Sequence, residues 1–244
     1  MTATALTVEG LTSGYGEAMV IRNVDLEITH GEIVALLGKN GMGKSTLLRT
    51  IMGYLRKQAG RVLLHGRDIT SAQPYRVARL GIGYVAQEKA LFQDLTVEEN
   101  IRLAVRHRPL ADALETVGQA FPFLTDRLWQ RAGTLSGGEQ KMLLMARSLA
   151  TSADLILIDE ITEGLQPTMV ARLASVIRAA QEARGTSFLL VEQNLTFALA
   201  TSDRYHVLQG GEIVASGASA GALASVAKYL SVSEVAHVGA EKNV

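Results

Sequence analysis

The feature that most constrains this chain is a glycine-rich segment placed between an apolar run and a helical pattern. The segment reads GKNGMGKST over residues 38–46 and follows EIVALL at residues 32–37. Glycine is costly to order and offers a hydrophobic core little to pack, so its repetition here needs another explanation. A strand, such a loop and a helix together surround phosphate groups with backbone N–H groups and a helix N-terminus. The sequence therefore predicts a phosphate-binding loop at the edge of an α/β sheet.

The loop also predicts roles for individual side chains. Lys44 is expected to reach the β- and γ-phosphates of a nucleotide, and Ser45 is expected to hold Mg²⁺. The apolar residues that follow recur on one helical face, which indicates a helix packed on the sheet; they are Leu47, Leu48, Ile51, Met52 and Leu55. The predicted phosphate-binding residues are Gly38, Lys39, Asn40, Gly41, Met42, Gly43, Lys44, Ser45 and Thr46.

Short apolar runs rich in β-formers alternate with helical patterns along most of the chain, which predicts a mainly parallel sheet covered by helices. The candidate buried strands cover residues 32–37, 82–87, 155–159 and 187–192. The first thirty residues indicate antiparallel strands. Near the other end, RYHVLQGGEIVAS predicts a hairpin around Gly210 and Gly211.

The strand pattern stops between about residues 89 and 150. There, TVEENIRLAVRH contains a capping box of Thr96 and Glu99, followed by a helical apolar pattern. We interpret this section as a helical lobe inserted into the sheet domain. The predicted organisation is one domain at residues 1–232, followed by a loosely ordered tail at 233–244.

Composition excludes several classes of partner and site. Lysine plus arginine equals aspartate plus glutamate, at 24 each, so no net field attracts nucleic acid or an anionic membrane. The chain contains no cysteine, which excludes disulfides and thiolate zinc sites and is compatible with a reducing cytoplasm. No secretion signal is evident, and no apolar run approaches the roughly 20 residues that span a bilayer. We expect a soluble chain that reaches a membrane only through a partner.

Two carboxylates follow an apolar run in LILIDE. Asp159 and Glu160 would lie at the carboxyl end of a parallel strand, where ligand sites of such sheets cluster. An aspartate in this place can belong to the Mg²⁺ shell, and a neighbouring carboxylate can act as general base toward water. We therefore predict a metal role for Asp159 and a catalytic role for Glu160.

The segment LSGGEQ, formed by Leu135, Ser136, Gly137, Gly138, Glu139 and Gln140, opens another helix. A capping box of Ser136 and Glu139 explains two of its residues. It does not explain two adjacent glycines in the first turn, each of which costs about 1 kcal/mol relative to alanine. Bare backbone at a helix N-terminus favours a second anion site. The economical arrangement is a head-to-tail dimer with a nucleotide between the loop of one copy and this turn of the other.

With GKNGMGKST, LSGGEQ and LILIDE in this order, the sequence resembles the ABC ATPase family from about residue 6 to residue 230. The resemblance implies a P-loop NTPase fold that binds and hydrolyses ATP with Mg²⁺. It also implies that Tyr15 stacks on adenine and that Gln87 contacts Mg²⁺ and the attacking water. The residues after Gln87 correspond to the region that contacts membrane subunits in relatives.

Two positions depart from the general family pattern. Gln193 stands where most members have a histidine that contacts the γ-phosphate, and Gln166 stands where an aspartate usually precedes proline. Glutamine still donates a hydrogen bond but carries no charge. ITEGLQP and VEQN resemble the second ATPase subunit of importers for branched-chain amino acids and for urea or short amides. Because glutamine is usual in that group, we expect working hydrolysis with Gln193 as a catalytic residue.

The resemblance further implies the partners. They are a second ATPase subunit, identical or homologous, two transmembrane permease subunits and an extracytoplasmic solute-binding protein, which would place the chain on the cytoplasmic face of the inner membrane. An ATPase for lipid or polysaccharide export stays open as an alternative. A nucleic-acid clamp is disfavoured because no sustained heptads or basic stripe separate the loop from LSGGEQ, and a GTPase because no Asn-Lys-x-Asp segment occurs.

Overall fold

The computed structural model describes residues 3–87, 91–105 and 108–231. The strands are β1 (Thr4–Tyr15), β2 (Ala18–Thr29), β3 (Ile33–Leu37), β4 (Lys57–Leu64), β5 (Arg67–Asp68), β6 (Ile82–Val85), β7 (Leu155–Asp159), β8 (Ser187–Glu192), β9 (Arg204–Gln209) and β10 (Glu212–Ala218). The helices are α1 (Lys44–Ile51), α2 (Pro74–Arg79), α3 (Val97–Ala104), α4 (Leu110–Ala120), α5 (Pro122–Thr125), α6 (Gly137–Ala150), α7 (Pro167–Arg184), α8 (Leu195–Thr201) and α9 (Leu223–Ser231).

The central sheet has the strand order β10-β9-β3-β8-β7-β6. Neighbouring strands from β9 to β6 are parallel, and β10 is an antiparallel edge strand paired with β9. The predicted mainly parallel sheet and the hairpin at Gly210 and Gly211 are confirmed. Since the strands are parallel, β3, β7 and β8 all end at the same edge of the sheet. That edge receives the phosphate loop, the two carboxylates and Gln193.

One predicted strand is too long. The ladder between β6 and β7 ends at the pair Val85 and Ile158, so β6 stops two residues before Gln87. Gln87 therefore belongs to the segment that follows the strand, and its side chain is exposed.

A second sheet has the order β2-β1-β4-β5 and is antiparallel throughout. This confirms the antiparallel start predicted from the first thirty residues. Its apolar face shares one core cluster with α1 and with one face of the central sheet. The two sheets thus enclose the helix that begins at the phosphate loop, which holds that loop against the edge of the central sheet.

The strands of the central sheet are buried on both faces. In β7, Leu155 and Leu157 pack toward α1 and the antiparallel sheet, whereas Ile156 and Ile158 pack toward α3, α4, α6 and α7. Strands covered on both sides have near-continuous apolar sequences, which explains why LILID was recognisable as a strand.

Helices α3 to α6 lie between β6 and β7 in the chain, and α3 begins with the predicted capping box. Glu99 N donates to Thr96 Oγ1 over 3.2 Å, and Thr96 N donates to Glu99 Oε2 over 2.8 Å. Lys89, at the expected start of the helical section, and the expected tail at 233–244 lie outside the described residues. In the described part of the chain, no helix is long and apolar enough to cross a membrane.

The helix after the phosphate loop is shorter than predicted. It ends at Ile51 because Gly53 takes a φ of +81°, which turns the backbone away from the helical path. Leu47, Leu48, Ile51 and Met52 are buried as expected. Leu55 lies beyond the helix and instead lines a cavity together with Tyr15 and Asp159.

Candidate functional site

The phosphate loop requires glycine for two separate reasons. A Cβ on Gly38 would lie 2.5 Å from the carbonyl oxygen of Leu208 in β9, so no side chain fits there. Gly43, the residue before α1, has a φ of +101°, and its Cβ would lie 2.8 Å from Ile21 Cδ1. Asn40 and Gly41 form the exposed rim of the loop. The loop is therefore tightly held at both ends and open in the middle.

Lys44 is drawn back into this loop. Its side chain is buried, and Nζ donates to the carbonyl oxygens of Gly38 and Lys39 over 2.8 and 3.0 Å. The same Nζ lies 2.9 Å from Glu160 Oε1. Two carbonyl groups and one carboxylate thus surround the cation at the place where the phosphates of a nucleotide are expected.

Ser45 and Asp159 meet at the predicted metal position. Ser45 Oγ donates to Asp159 Oδ1 over 2.9 Å, and Tyr84 Oη lies 3.4 Å from Asp159 Oδ2. Burial, together with the charge of nearby Glu160, raises the pKa of Asp159, against the effect of the Ser45 hydrogen bond. A divalent cation would favour the charged carboxylate, and hydroxyl and carboxylate oxygens are the ligands that Mg²⁺ prefers. The donor set therefore fits Mg²⁺.

Glu160 adopts an unusual backbone conformation for a glutamate. Its φ is +47°, in the left-handed region that non-glycine residues rarely occupy. Its backbone N–H donates to Val191 O in β8 over 2.9 Å. A strained, well-held residue at a candidate site is compatible with a functional role, because such strain persists only where the surroundings fix it.

Gln87 is brought to the same carboxylate although it comes from the segment after a different strand, β6. Its Nε2 donates to Glu160 Oε2 over 3.1 Å and to Glu163 Oε2 over 3.0 Å. The predicted residue is therefore placed beside the predicted general base. No motif in the sequence indicates Glu163.

Gln193 lies directly after β8 and reaches the phosphate loop. Its Nε2 donates to Asn40 Oδ1 over 2.6 Å. This contact brings a hydrogen-bond donor from the next strand end to the exposed rim of the loop. Gln166, the other unusual residue, is the N-cap of α7 and makes no side-chain capping hydrogen bond.

Tyr15 ends β1 and is 47% exposed. Its hydroxyl accepts a hydrogen bond from Arg49 Nη1 over 3.3 Å. Both residues line a cavity of about 560 Å³ that also contacts Gln87 and Asp159. An exposed aromatic ring in the cavity that Asp159 lines is available for stacking, which is compatible with the predicted contact to adenine.

The LSGGEQ segment lies apart from this site. The capping box is present: Glu139 N donates to Ser136 Oγ over 3.3 Å, and Ser136 N donates to Glu139 Oε2 over 2.9 Å. Ser136 and Gly137 are exposed. Across the described ranges, no hydrogen bond or ion pair joins residues 135–140 to the phosphate loop. Within one chain, the structure does not bring the two predicted phosphate-binding surfaces together.

A model of the ABC transporter family matches residues 21–163, which is more than half of the chain. The chain belongs to the ABC transporter family. As an ABC ATPase it binds nucleotide and hydrolyses ATP.

Two relatives from this family are named for branched-chain amino acid transport. A probable branched-chain amino acid transport ATP-binding protein LivF of Archaeoglobus fulgidus is 38% identical over 210 residues, covering 85% of this chain and 89% of the relative. The high-affinity branched-chain amino acid transport ATP-binding protein BraG of Pseudomonas aeruginosa is 36% identical over 212 residues, covering 86% and 91%.

A lipopolysaccharide export system ATP-binding protein LptB of Acidithiobacillus ferridurans is 32% identical over 216 residues, covering 87% of this chain and 89% of the relative. Among solved structures, an ATP-binding cassette of an ABC transporter in its ADP conformation has a TM-score of 0.78 at 28% identity. The matched region covers 89% of this chain and 92% of the chain in the solved structure. The ABC ATPase fold predicted from the sequence is therefore confirmed.

Sequence reasoning missed two acidic residues beside the candidate site. Glu163 shares the Gln87 amide with Glu160. Glu192, the last residue of β8, is buried beside the turn that carries Glu160. A glutamate at the end of an otherwise apolar strand is the only signal in the sequence that could have indicated Glu192.

Proposed function

We propose that this chain is the ATP-hydrolysing subunit of a membrane importer for branched-chain amino acids or related small polar solutes such as urea or amides. Two relatives named for branched-chain amino acid transport are 36–38% identical to it and a third is 31% identical, whereas two relatives named for lipopolysaccharide export are 32–33% identical. The observation that carries ATP hydrolysis is the meeting of Lys44, Ser45, Asp159 and Glu160 at one edge of the sheet, and the names of the LivF and BraG relatives support import.

The proposed site holds the triphosphate of ATP on the loop of residues 38–46. Backbone N–H groups and the N-terminus of α1 face the phosphates, and Lys44 neutralises their charge. Ser45, Asp159 and Gln87 would hold Mg²⁺, which supplies charge neutralisation at the β- and γ-phosphates when bound. Tyr15 would stack on the adenine ring.

In hydrolysis, Glu160 accepts a proton from the attacking water. The water oxygen forms a bond to the γ-phosphorus, and the bond from phosphorus to the β–γ bridging oxygen breaks. Gln193 donates a hydrogen bond to the γ-phosphate, and Gln87 orients the water. Because Glu160 is paired with Lys44 over 2.9 Å, nucleotide binding must separate the two side chains before Glu160 can act as base.

The second half of each site comes from another chain. Ser136 and Gly137 are exposed at the start of α6 and unattached to the loop of their own chain. In the proposed head-to-tail dimer they close over the nucleotide held by the partner copy, or by a homologous ATPase subunit. Closing and opening of this dimer would drive conformational changes in two transmembrane permease subunits. A solute-binding protein would deliver the solute to these subunits. The chain would then lie on the cytoplasmic face of the inner membrane.

The proposed ATPase domain covers residues 1–232, with the helical lobe inserted at about 89–150. Lys141 in α6 donates to the carbonyl oxygen of Glu163, in the loop after β7. Through this contact, we propose, a movement of the helical lobe would shift the loop that carries Glu160 and Glu163.

Gly137→Ala tests the shared site. A Cβ at this helical glycine meets nothing within 4 Å, and alanine is about 1 kcal/mol better than glycine inside a helix. The variant should therefore fold at least as well as wild type and bind ATP at its own loop with unchanged Kd. We expect its ATPase turnover to fall at least tenfold, because the added methyl group meets the partner's nucleotide.

Gly118→Ala, in α4, is the matched control, since its Cβ would lie 3.3 Å from the Thr125 methyl group and away from the site. It should keep wild-type turnover. Full turnover in Gly137→Ala would contradict the shared site. The importer proposal is tested by measuring which solute stimulates ATPase turnover of the assembled transporter. Stimulation by lipid rather than by a small amino acid or amide would favour the export alternative.

A further inference from the structure

Glu192 is a buried carboxyl group that the proposed reaction does not use. It ends β8 and is 2% exposed, between β3 and β7 of the central sheet. A carboxyl group in such a place is unfavourable unless hydrogen bonds compensate for its lost hydration. Burial, opposed by hydrogen bonds from Thr162, raises the pKa of Glu192 to about 7. An apolar residue would suit this strand better, so the glutamate needs a specific reason.

Both oxygens of Glu192 bind the same neighbour. Thr162 N donates to Glu192 Oε1 over 3.1 Å, and Thr162 Oγ1 donates to Glu192 Oε2 over 2.7 Å. Thr162 is itself buried. The two groups therefore satisfy each other in a site that water does not reach.

Thr162 closes the short turn that carries Glu160. At the start of this turn, Glu160 N donates to Val191 O over 2.9 Å, and at its end Thr162 is held by Glu192. The residue between them, Ile161, is buried in the core. Two successive residues of β8 thus hold the two ends of the turn, and Glu160 sits in it with a φ of +47°.

We propose that Glu192 is a positioning residue for hydrolysis: through Thr162 it fixes the strained turn that aims the Glu160 carboxylate into the nucleotide site. This inference deepens the proposed function and rests on it. Glu192 does not touch the nucleotide in this arrangement. Its contribution is to the geometry of the general base, since a carboxylate displaced by even 1 Å from a reacting water loses much of its effect.

The same strand end also carries Gln193, which reaches Asn40 in the phosphate loop. Glu192 therefore lies next to Gln193 in the chain and also holds the turn that carries Glu160. Loss of its contact to Thr162 should disturb the chemical step more than nucleotide binding, because Lys44 keeps its two hydrogen bonds to the carbonyl oxygens of Gly38 and Lys39 when the turn of Glu160 moves.

The test compares Thr162→Val, which removes only the hydroxyl donor, with Thr162→Ser, which restores it. ATPase turnover is measured in the assembled transporter, and Kd for ATP is measured on the full chain. We expect Thr162→Val to lower kcat about tenfold with KM and Kd within twofold of wild type. Thr162→Ser should recover most of the loss. Glu192→Gln combined with Thr162→Val should be no slower than the slower single variant, because both act through one contact.

Thr186→Val is the matched control, since Thr186 is equally buried just before the start of β8, and it should keep wild-type kcat. Unchanged kcat in both Thr162→Val and Glu192→Gln would overturn the proposal. Parallel losses of kcat, ATP affinity and melting temperature would also overturn it, because they would indicate a role in folding only. Absence of ATP binding by the wild-type chain would instead contradict the proposed function itself.

Discussion

Lys44 Nζ lies 2.9 Å from Glu160 Oε1, with side chains that are only 3% and 7% exposed. The cation expected to hold phosphate is thus paired with the carboxylate expected to activate water. Removing one member of a buried pair leaves the other charge uncompensated. Phosphate groups of an incoming nucleotide must therefore take the place of Glu160 at Lys44, which links binding of ATP to release of the general base.

Glu160→Gln should separate binding from hydrolysis. The amide keeps the shape of the side chain but removes a negative charge that competes with phosphate for Lys44. We expect ATP affinity to rise about tenfold, equivalent to about 1.4 kcal/mol. Loss of the general base should lower turnover by about 10² to 10⁴. Equilibrium titration with ATP and single-turnover hydrolysis measure the two effects.

Glu163→Gln is the control for affinity, because Glu163 contacts Gln87 but not Lys44. It should not tighten ATP binding. Hydrolysis at the wild-type rate in Glu160→Gln would show that another group accepts the proton.

Gln193→Ala should slow hydrolysis and leave nucleotide affinity nearly unchanged. Its amide reaches the rim of the phosphate loop at Asn40 over 2.6 Å, and a hydrogen bond to a charged group contributes about 1.5–3 kcal/mol. We expect kcat to fall by at least about tenfold, with Kd for ATP within twofold of wild type. Gln193→His, which retains an N–H donor, should restore much of the rate. Equal turnover in the alanine variant would remove Gln193 from the catalytic residues.

The glycines of the phosphate loop should differ in their tolerance of alanine. Gly38→Ala places a methyl group 2.5 Å from the backbone oxygen of Leu208, which cannot move freely. Overpacking of this kind costs about 1–3 kcal/mol, and occasionally more. Gly41 has open space around it but a φ of +78°, so alanine there should cost about 1–2 kcal/mol through backbone strain alone. Urea denaturation of both variants gives the comparison; a Gly41→Ala variant less stable than Gly38→Ala would contradict this reading.

Much of this fold was predictable because the local sequence patterns of its strands and helix starts agree with their burial and hydrogen bonds in the folded chain. LILID is apolar at every position but the last because β7 is covered on both faces, and SFLLVE reads similarly for β8. The capping boxes at Thr96 and Ser136 are local hydrogen-bond patterns, so sequence spacing is sufficient to find them. The strand end at Val85 was missed because it depends on where pairing with β7 stops, which no local pattern records.

The individual residues of the candidate site could be predicted from the sequence, but the contacts between them could not. Lys44, Asp159 and Glu160 stand in recognisable motifs, whereas their pairing depends on which strands are neighbours. The clash that requires glycine at position 38 comes from Leu208, 170 residues away in the sequence. Glu192 was overlooked because a glutamate at a strand end usually meets water, and only the turn at Thr162 makes it buried.

His206 should make the protein sensitive to mild acid. It lies in β9 and is 6% exposed, with Nδ1 2.6 Å from Ser216 Oγ. For the residues that the structure describes, Nε2 has no hydrogen-bond partner. Burial, together with the charge of Arg204, lowers the pKa of His206 from 6.5 to about 4. Between these values the unfolded chain takes up a proton and the folded chain does not, so stability falls as pH decreases.

The contribution of His206 is fully present above pH 6.5 and is lost progressively toward pH 4. The shift corresponds to about 3 kcal/mol. Glu192 acts in the opposite direction, because its raised pKa stabilises the folded state as pH falls from about 7 toward 4.5. The test therefore compares the wild-type chain with His206→Gln, both of which retain Glu192, by urea denaturation at pH 7.5 and pH 4.5. We expect the variant to lose less stability between these two pH values; an equal loss in both proteins would exclude His206 as the source, since only the wild-type chain carries the titrating imidazole.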